Sequence, residues 1–129
     1  MAFNVLIVDD SSVVRSVIGK TITLANIPLN EVFYAVNGEE ALKVLGEKWV
    51  DIVITDINMP VMDGLELIDR ISKDGLMSSI PVVVVSTEGS TTRIEELKAK
   101  GVRGYIRKPF TPEQISGIFK EILGDSNAN

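Results

Sequence analysis

Five short apolar runs constrain this chain more than anything else in it: "FNVLIV" (3–8), "EVFYAV" (31–36), "VDIVIT" (50–55), "IPVVVVS" (80–86) and "VRGYIR" (102–107). They are rich in Val and Ile, and most are apolar at successive positions rather than at alternate ones. A strand with one wet face alternates, so a continuous run needs cover on both faces, as in a parallel sheet flanked by helices.

The segments between the runs supply that cover. After the acidic pair Asp9–Asp10, Ser11 or Ser12 offers an N-cap, and Val14, Val17, Ile18, Thr21 and Ile22 recur at helical spacing until Asn26 and Pro28 end the segment. "NGEEALKVLGEK" opens on the cap-competent Asn37, and "GLELIDRISKDG" repeats Leu65, Ile68 and Ile71 before Gly75. "STTRIEELKAKG" keeps only a thin apolar stripe, Ile94, Leu97 and Ala99, and stops at Gly101. "TPEQISGIFKEILG" pairs Thr111 as N-cap with Pro112 at the first helical position. Strand and helix thus alternate five times, which predicts an α/β fold: a doubly wound, five-stranded parallel sheet with helices on both faces. Residues 1–124 form one domain in this reading, and 125–129, "DSNAN", a frayed polar tail.

Composition narrows the chemistry. The 129 residues include no Cys and no His, which removes disulfides, thiolate metal sites, cysteine nucleophiles and the commonest general base. A formal charge of −5 argues against binding a phosphate backbone, so no nucleic-acid partner is expected. No apolar run reaches membrane-spanning length, and the start lacks the basic and apolar pattern of a secretory signal; the default location is the cytoplasm, without membrane insertion.

In a doubly wound sheet the functional crevice lies outside the carboxyl ends of the strands. At those ends stand Asp9 and Asp10 after the first run, Asp56 after the third, Ser86 and Thr87 at the fourth and Lys108 after the fifth. Taken singly, the acidic pair could cap a helix, Ser86 could be a satisfied strand-end hydroxyl, Lys108 a solvated charge, and Tyr105 part of the core. Taken together, three converging carboxylates repel one another and either raise a pKa or hold a cation. Oxygen ligands alone select a hard ion such as Mg²⁺ or Mn²⁺. Such an ion and Lys108 would welcome a dianionic phosphoryl group, with Asp56 as a carboxylate nucleophile.

"VLIVDDS", "VITDINMPVMDG", "VVVVSTEG" and "GYIRKPF", in this order and spacing and across nearly the whole chain, resemble a response-regulator receiver domain of the stand-alone chemotaxis type. The resemblance implies the flavodoxin-like strand order 2-1-3-4-5. It implies that Asp56 is the phosphoacceptor, charged by a sensor histidine kinase or a small phosphodonor. It implies that Asp10 ligates Mg²⁺ directly, Asp9 through water and Asn58 through its carbonyl, so that with Asp56 these form the metal site. Ser86, Thr87 and Lys108 would surround the phosphoryl group, with a cis bond between Lys108 and Pro109. Ser86 and Tyr105 would be the switch, reshaping the surface of the fourth helix, fifth strand and fifth helix for a downstream target, with a phosphatase as a further partner. Asn58, Thr87 and Glu88 would modulate the rates.

Two features depart from the family's commonest pattern. Ser86 stands where Thr is usual, losing a methyl that would fix the rotamer, and Thr87 stands where Ala or Gly is common. Within the receiver reading the chain is a signalling switch rather than a turnover enzyme; a phosphorelay intermediate, or a receiver cut from a larger regulator, fits the same residues. A Mg²⁺-dependent aspartyl-phosphate hydrolase would carry its nucleophile in a D-x-D pattern on the first strand, and a flavodoxin would need an anion-friendly loop where "DDSS" stands.

Overall fold

In the computed structural model, which describes residues 2–87 and 89–124, five strands form one parallel sheet in the order β2-β1-β3-β4-β5. The strands are β1 (Phe3–Val8), β2 (Leu29–Ala35), β3 (Ile52–Thr55), β4 (Val82–Ser86) and β5 (Gly104–Arg107). They alternate with α1 (Ser12–Leu24), α2 (Gly38–Glu47), α3 (Gly64–Lys73), α4 (Thr91–Ala99) and α5 (Pro112–Phe119), the last followed by a π-helical turn, Lys120–Gly124. The expected order, with β1 at the pivot between β2 and β3, is the observed one.

The continuous runs are buried on both sides, as their pattern required. Leu6, Val8, Val53, Val82 and Val84 face α2, α3 and α4, where they meet Leu45, Leu67, Ile68 and Leu97. Val5, Ile7, Ile52, Ile54, Val83 and Val85 face the other way, against Ile18 and Ile22 of α1 and Ile115 and Phe119 of α5. Each such side chain contributes on the order of 1.5–3 kcal/mol when fully buried.

Strand boundaries moved where the backbone found other partners. β4 begins at Val82, after Pro81, which has no N–H for a ladder. β3 begins at Ile52: the Asp51 N–H still donates to the Asn4 carbonyl at 2.8 Å, but the Asn4 N–H is taken by the Asp51 carboxylate at 2.8 Å, which also accepts from the Trp49 indole N–H at 3.1 Å. β5 begins at Gly104 because the Val102 N–H still closes the end of α4, donating to the Leu97 carbonyl at 3.1 Å. β2 starts early, at Leu29, which pairs with Phe3.

All five helices open on a side-chain cap. Ser11, Asn37, Asp63, Ser90 and Thr111 accept from the N–H three residues on, and Thr111 and Gln114 form a reciprocal capping box. Because each helix follows a strand, these capped N-termini, with their partial positive charge, lie at the carboxyl end of the sheet.

Among the described residues, three have left-handed backbone: Asn26 at φ 59°, Gly101 at φ 96° and Val61 at φ 70°. Asn and Gly accept this where α1 and α4 end, but for a β-branched residue it is a strained conformation. Val61 is 76% exposed, so its side chain offers little burial in compensation. Val61→Gly removes a cost of about 1–2 kcal/mol and adds some unfolded-state entropy; urea denaturation should show a net gain of about 1 kcal/mol.

Candidate functional site

β1 and β3 are neighbours, so the residues that follow them emerge side by side. Asp9 is 2% exposed, Asp56 half-buried and Asp10 exposed. One carboxylate oxygen from each lies within 4.8 Å of the other two. Lys108, delivered by the end of β5, closes the group: its Nζ is 3.0 Å from Asp9 Oδ2 and 3.1 Å from Asp56 Oδ2.

The main chain holds these groups in place. The Asp56 N–H donates to the Val8 carbonyl at 3.0 Å, and Asp56 Oδ1 accepts from the Ile57 N–H at 2.6 Å. Asp9 Oδ1 accepts from the Ser11 N–H at 2.9 Å, so the residue that caps α1 also orients the carboxylate. Lys108 donates its own N–H to the Ser86 carbonyl at 2.9 Å, which ties the lysine to the end of β4. The Lys108–Pro109 bond is cis, as expected.

Burial pushes the Asp9 carboxyl above its ordinary range; the Ser11 N–H and Lys108 pull it back, and the Asp56 charge pushes it up again. For Lys108, burial alone would lower the pKa, but its bonds to Asp9 and Asp56 and their charges together carry it above 10.5. Lys108 is therefore a cation at neutral pH.

Because the folded pKa of Asp9 exceeds the unfolded 3.8, its favourable contribution is complete below that value and is lost as pH rises through the folded pKa. At neutral pH, where the unfolded carboxyl is ionised, burial of Asp9 is a cost to the metal-free fold. Asp9→Asn should therefore raise the thermal midpoint of the metal-free protein at pH 7, with the advantage shrinking on acidification. Thermal unfolding in chelator across pH reads both.

One ammonium cannot neutralise three carboxylates. The donor set is all oxygen, which fits a hard divalent cation that takes one or two carboxylates and keeps some of its waters. Asp9, Asp10 and Asp56 are the residues that could hold it.

Residues 5–120 match the response regulator receiver domain. The chain belongs to the response regulator receiver family. It is 37% identical over 120 residues to the chemotaxis protein CheY homolog of Campylobacter jejuni, covering 92% of this chain and 91% of that one. It is 36% identical over 121 residues to the two-component response regulator ORR11 of Oryza sativa, covering 93% and 80%. The crystal structure of the Vibrio cholerae chemotaxis protein CheY4 superposes with a TM-score of 0.85 at 33% identity, covering 95% of this chain and all of that one.

As a receiver crevice, the arrangement brings together Asp9, Asp10, Asp56 and Lys108 and sets the other expected residues around them. Asn58 is exposed in the loop that follows Asp56, and Thr87 is exposed just beyond β4. Ser86 is fully buried at the end of β4. Tyr105 is not at the crevice: it pairs in register with Val84 and packs against the core on the α4 side. Val84 and Ser86 are two residues apart, so Ser86 and Tyr105 share one face of the sheet. Glu88 lies outside the described residues, as does the tail 125–129.

Two residues of the crevice escaped the sequence reading. Arg15, on α1, donates from Nη1 to the main-chain carbonyl of Asp9 at 2.6 Å. Its position one turn after the Ser11 cap was the available signal, but nothing in the sequence names its acceptor. Gly64 opens α3 with its N–H on the Ile57 carbonyl at 2.8 Å, and a side chain there would collide with the Asp56 carbonyl oxygen. "DG" reads as a turn signal, which does not disclose that close approach.

Proposed function

We propose that this receiver is a phosphorylation-activated signalling switch of the chemotaxis type, with Asp56 as its phosphoacceptor. The observation that carries the reading is the sharing of Lys108 Nζ between Asp9 and Asp56 at 3.0 and 3.1 Å, beside the exposed Asp10. Asp56 would attack phosphorus, forming an acyl phosphate as the phosphorus–nitrogen bond to a kinase histidine breaks. Lys108 would leave its carboxylate partners to pair with a phosphoryl oxygen. The Ile57 N–H holds Asp56 Oδ1 at 2.6 Å, which would keep the carboxylate oriented for attack. A divalent cation, Mg²⁺ or Mn²⁺, when held by Asp9, Asp10, Asp56 and the Asn58 carbonyl, supplies further neutralisation of the phosphoryl charge.

The Ser86 hydroxyl is the candidate reporter. In this reading it bonds the phosphoryl group, Tyr105 follows on the same face, and the α4, β5 and α5 surface presents a new shape to a target protein. α4 suits such a role, since Leu97 is its one fully buried side chain. The protein then acts stoichiometrically in the cytoplasm, one phosphoryl group per cycle, and is not a turnover enzyme. Its partners are a sensor histidine kinase, a downstream target and a phosphatase.

The chemotaxis output is supported by CheY relatives matched along nearly their whole length. The rice regulator, at nearly the same identity, keeps a phosphorelay output as the second reading. Phosphotransfer from a panel of histidine kinases, followed by capture of targets with the beryllofluoride complex, separates the two: a flagellar motor component on one side, a histidine phosphotransfer protein on the other. One phosphoryl group per chain, dependent on Mg²⁺, is the expected stoichiometry.

Thr87 is exposed beside this crevice. Its bulk restricts approach of donor and water to Asp56. Thr87→Ala should raise the rates of autophosphorylation and dephosphorylation several-fold together, measured by quenched-flow or fluorescence kinetics with a small phosphodonor. Unchanged rates would remove Thr87 from the site.

A further inference from the structure

Arg107 ends β5, next to Lys108, and takes no part in the chemistry of the crevice. It pairs in register with Ser86 and follows Tyr105 by two residues, so Arg107, Tyr105 and Ser86 share one face of the sheet. The residue is exposed, and among the described residues no hydrogen bond or ion pair engages its guanidinium. What it touches is the β4–α4 connection. A Cβ at Gly89 would lie 3.1 Å from Arg107 Cδ and Nε and 3.2 Å from Cζ. Three successive atoms at nearly one distance place the side chain lengthwise along the Gly89 main chain rather than end-on. Only a residue without a side chain leaves room for that approach.

The strand order gives this contact a direction. β4 lies between β3 and β5, so the connection that leaves β4 has Asp56, beyond the end of β3, on one side and Arg107 on the other. A movement of Ser86 and its neighbours toward Asp56 is a movement away from Arg107. The contact therefore belongs to the resting arrangement and is given up in the phosphorylated one. A contact made in one of two states favours that state by its own free energy. Little else restrains this end of α4: the Ser90 cap bonds within the helix's own first turn, and the one buried anchor, Leu97, lies near the other end.

We propose that Arg107 is a positioning residue: it braces the β4–α4 connection in its resting place, with Gly89 as its seat, and so opposes activation. The brace stands on the contact alone; its opposition to activation rests on Asp56 being the phosphoacceptor. Charge and brace act with opposite signs. As a cation near three carboxylates, Arg107 would by charge alone help an anionic phosphoryl group to bind, and its removal would weaken that binding. As a brace it holds the competent arrangement to a smaller fraction of the molecules, and its removal tightens binding in proportion to the fraction released.

Two measurements test this on the full chain. In the resting protein, NMR relaxation should show lower backbone order parameters at Thr87, Gly89 and Ser90 in Arg107→Ala, with β1 unchanged. With Mg²⁺ present, titration with beryllofluoride, followed by fluorine NMR, should reach half-saturation at a several-fold lower concentration in Arg107→Ala than in the native chain. Gly89→Ala should do the same without altering any charge, because its methyl displaces the arginine; Gly89 is outside the left-handed region, so Ala fits its backbone. The double variant should bind no more tightly than the better single one, since both act through one contact. Weaker or unchanged beryllofluoride binding in Arg107→Ala overturns the proposal, the weaker result leaving Arg107 as an attracting charge only. Gains that add in the double variant, or order parameters that stay at native values, overturn it equally. A native chain that binds no beryllofluoride overturns the phosphoacceptor reading and with it the opposition to activation, while the order parameters still decide the brace.

Discussion

Asp56→Asn is expected to abolish phosphorylation of this protein while leaving it folded. The amide oxygen of Asn keeps the shape of the carboxylate and still accepts from the Ile57 N–H, which holds Asp56 Oδ1 at 2.6 Å. The main-chain bond from residue 56 to the Val8 carbonyl, 3.0 Å in the native chain, is also kept. What disappears is the anion: the neutral amide is no nucleophile toward phosphorus, and Lys108 retains only Asp9 as a charged partner. Incubation with a small phosphodonor and Mg²⁺, read by intact mass, should show one phosphoryl group on the native chain and none on the variant. A phosphorylated variant would place the acceptor elsewhere. Loss of one carboxylate from the acidic group should also weaken Mg²⁺ binding, which a calorimetric titration measures separately.

Gly64→Ala should be the most damaging of the Gly→Ala changes between Gly19 and Gly117. Gly64 sits at the first turn of α3, and an added Cβ would overlap the Asp56 carbonyl oxygen and stand 2.8 Å from Ile57 Cα. These are main-chain atoms, which cannot swing aside as a flexible side chain can. Relief requires α3 to move away from β3, with loss of the 2.8 Å bond from the Gly64 N–H to the Ile57 carbonyl. Overpacking in a core costs about 1–3 kcal/mol, and collision with fixed backbone belongs at the upper end, about 3 kcal/mol. Because the displaced atoms are those that carry Asp56, phosphorylation should slow beyond what destabilisation explains. Urea titration and phosphorylation rate, measured well below the unfolding transition, separate the two effects.

The sequence disclosed the crevice better than it disclosed the machinery around it. Continuous Val and Ile runs can only be satisfied between two helical layers, so the doubly wound sheet followed from hydrophobic pattern. The carboxyl-end rule then placed Asp9, Asp10, Asp56 and Lys108 together, where the structure has them. Strand limits were less legible because they depend on competition for single hydrogen bonds, as when Asp51 satisfies the Asn4 N–H with a side chain. Arg15 and Gly64 were illegible for a related reason: one acts on a carbonyl oxygen and the other by lacking a side chain. Main-chain atoms leave no mark in residue types. The thin apolar stripe of α4 was readable, and Leu97 is indeed its one fully buried residue.

The bond from the Gly38 N–H to the Met62 carbonyl, at 2.9 Å, fastens the loop after Asp56 to the start of α2, and the bond from the Gly64 N–H to the Ile57 carbonyl closes the same loop on itself. The crevice therefore has one bank without slack. Its other bank, Ser86 to α4, is bounded by a helix with a single deep anchor. A push delivered at Asp56 cannot be shared equally between them. In the proposed switch it would run toward β4, α4 and β5, so the direction of the signal would be set by where the chain is most tightly stitched.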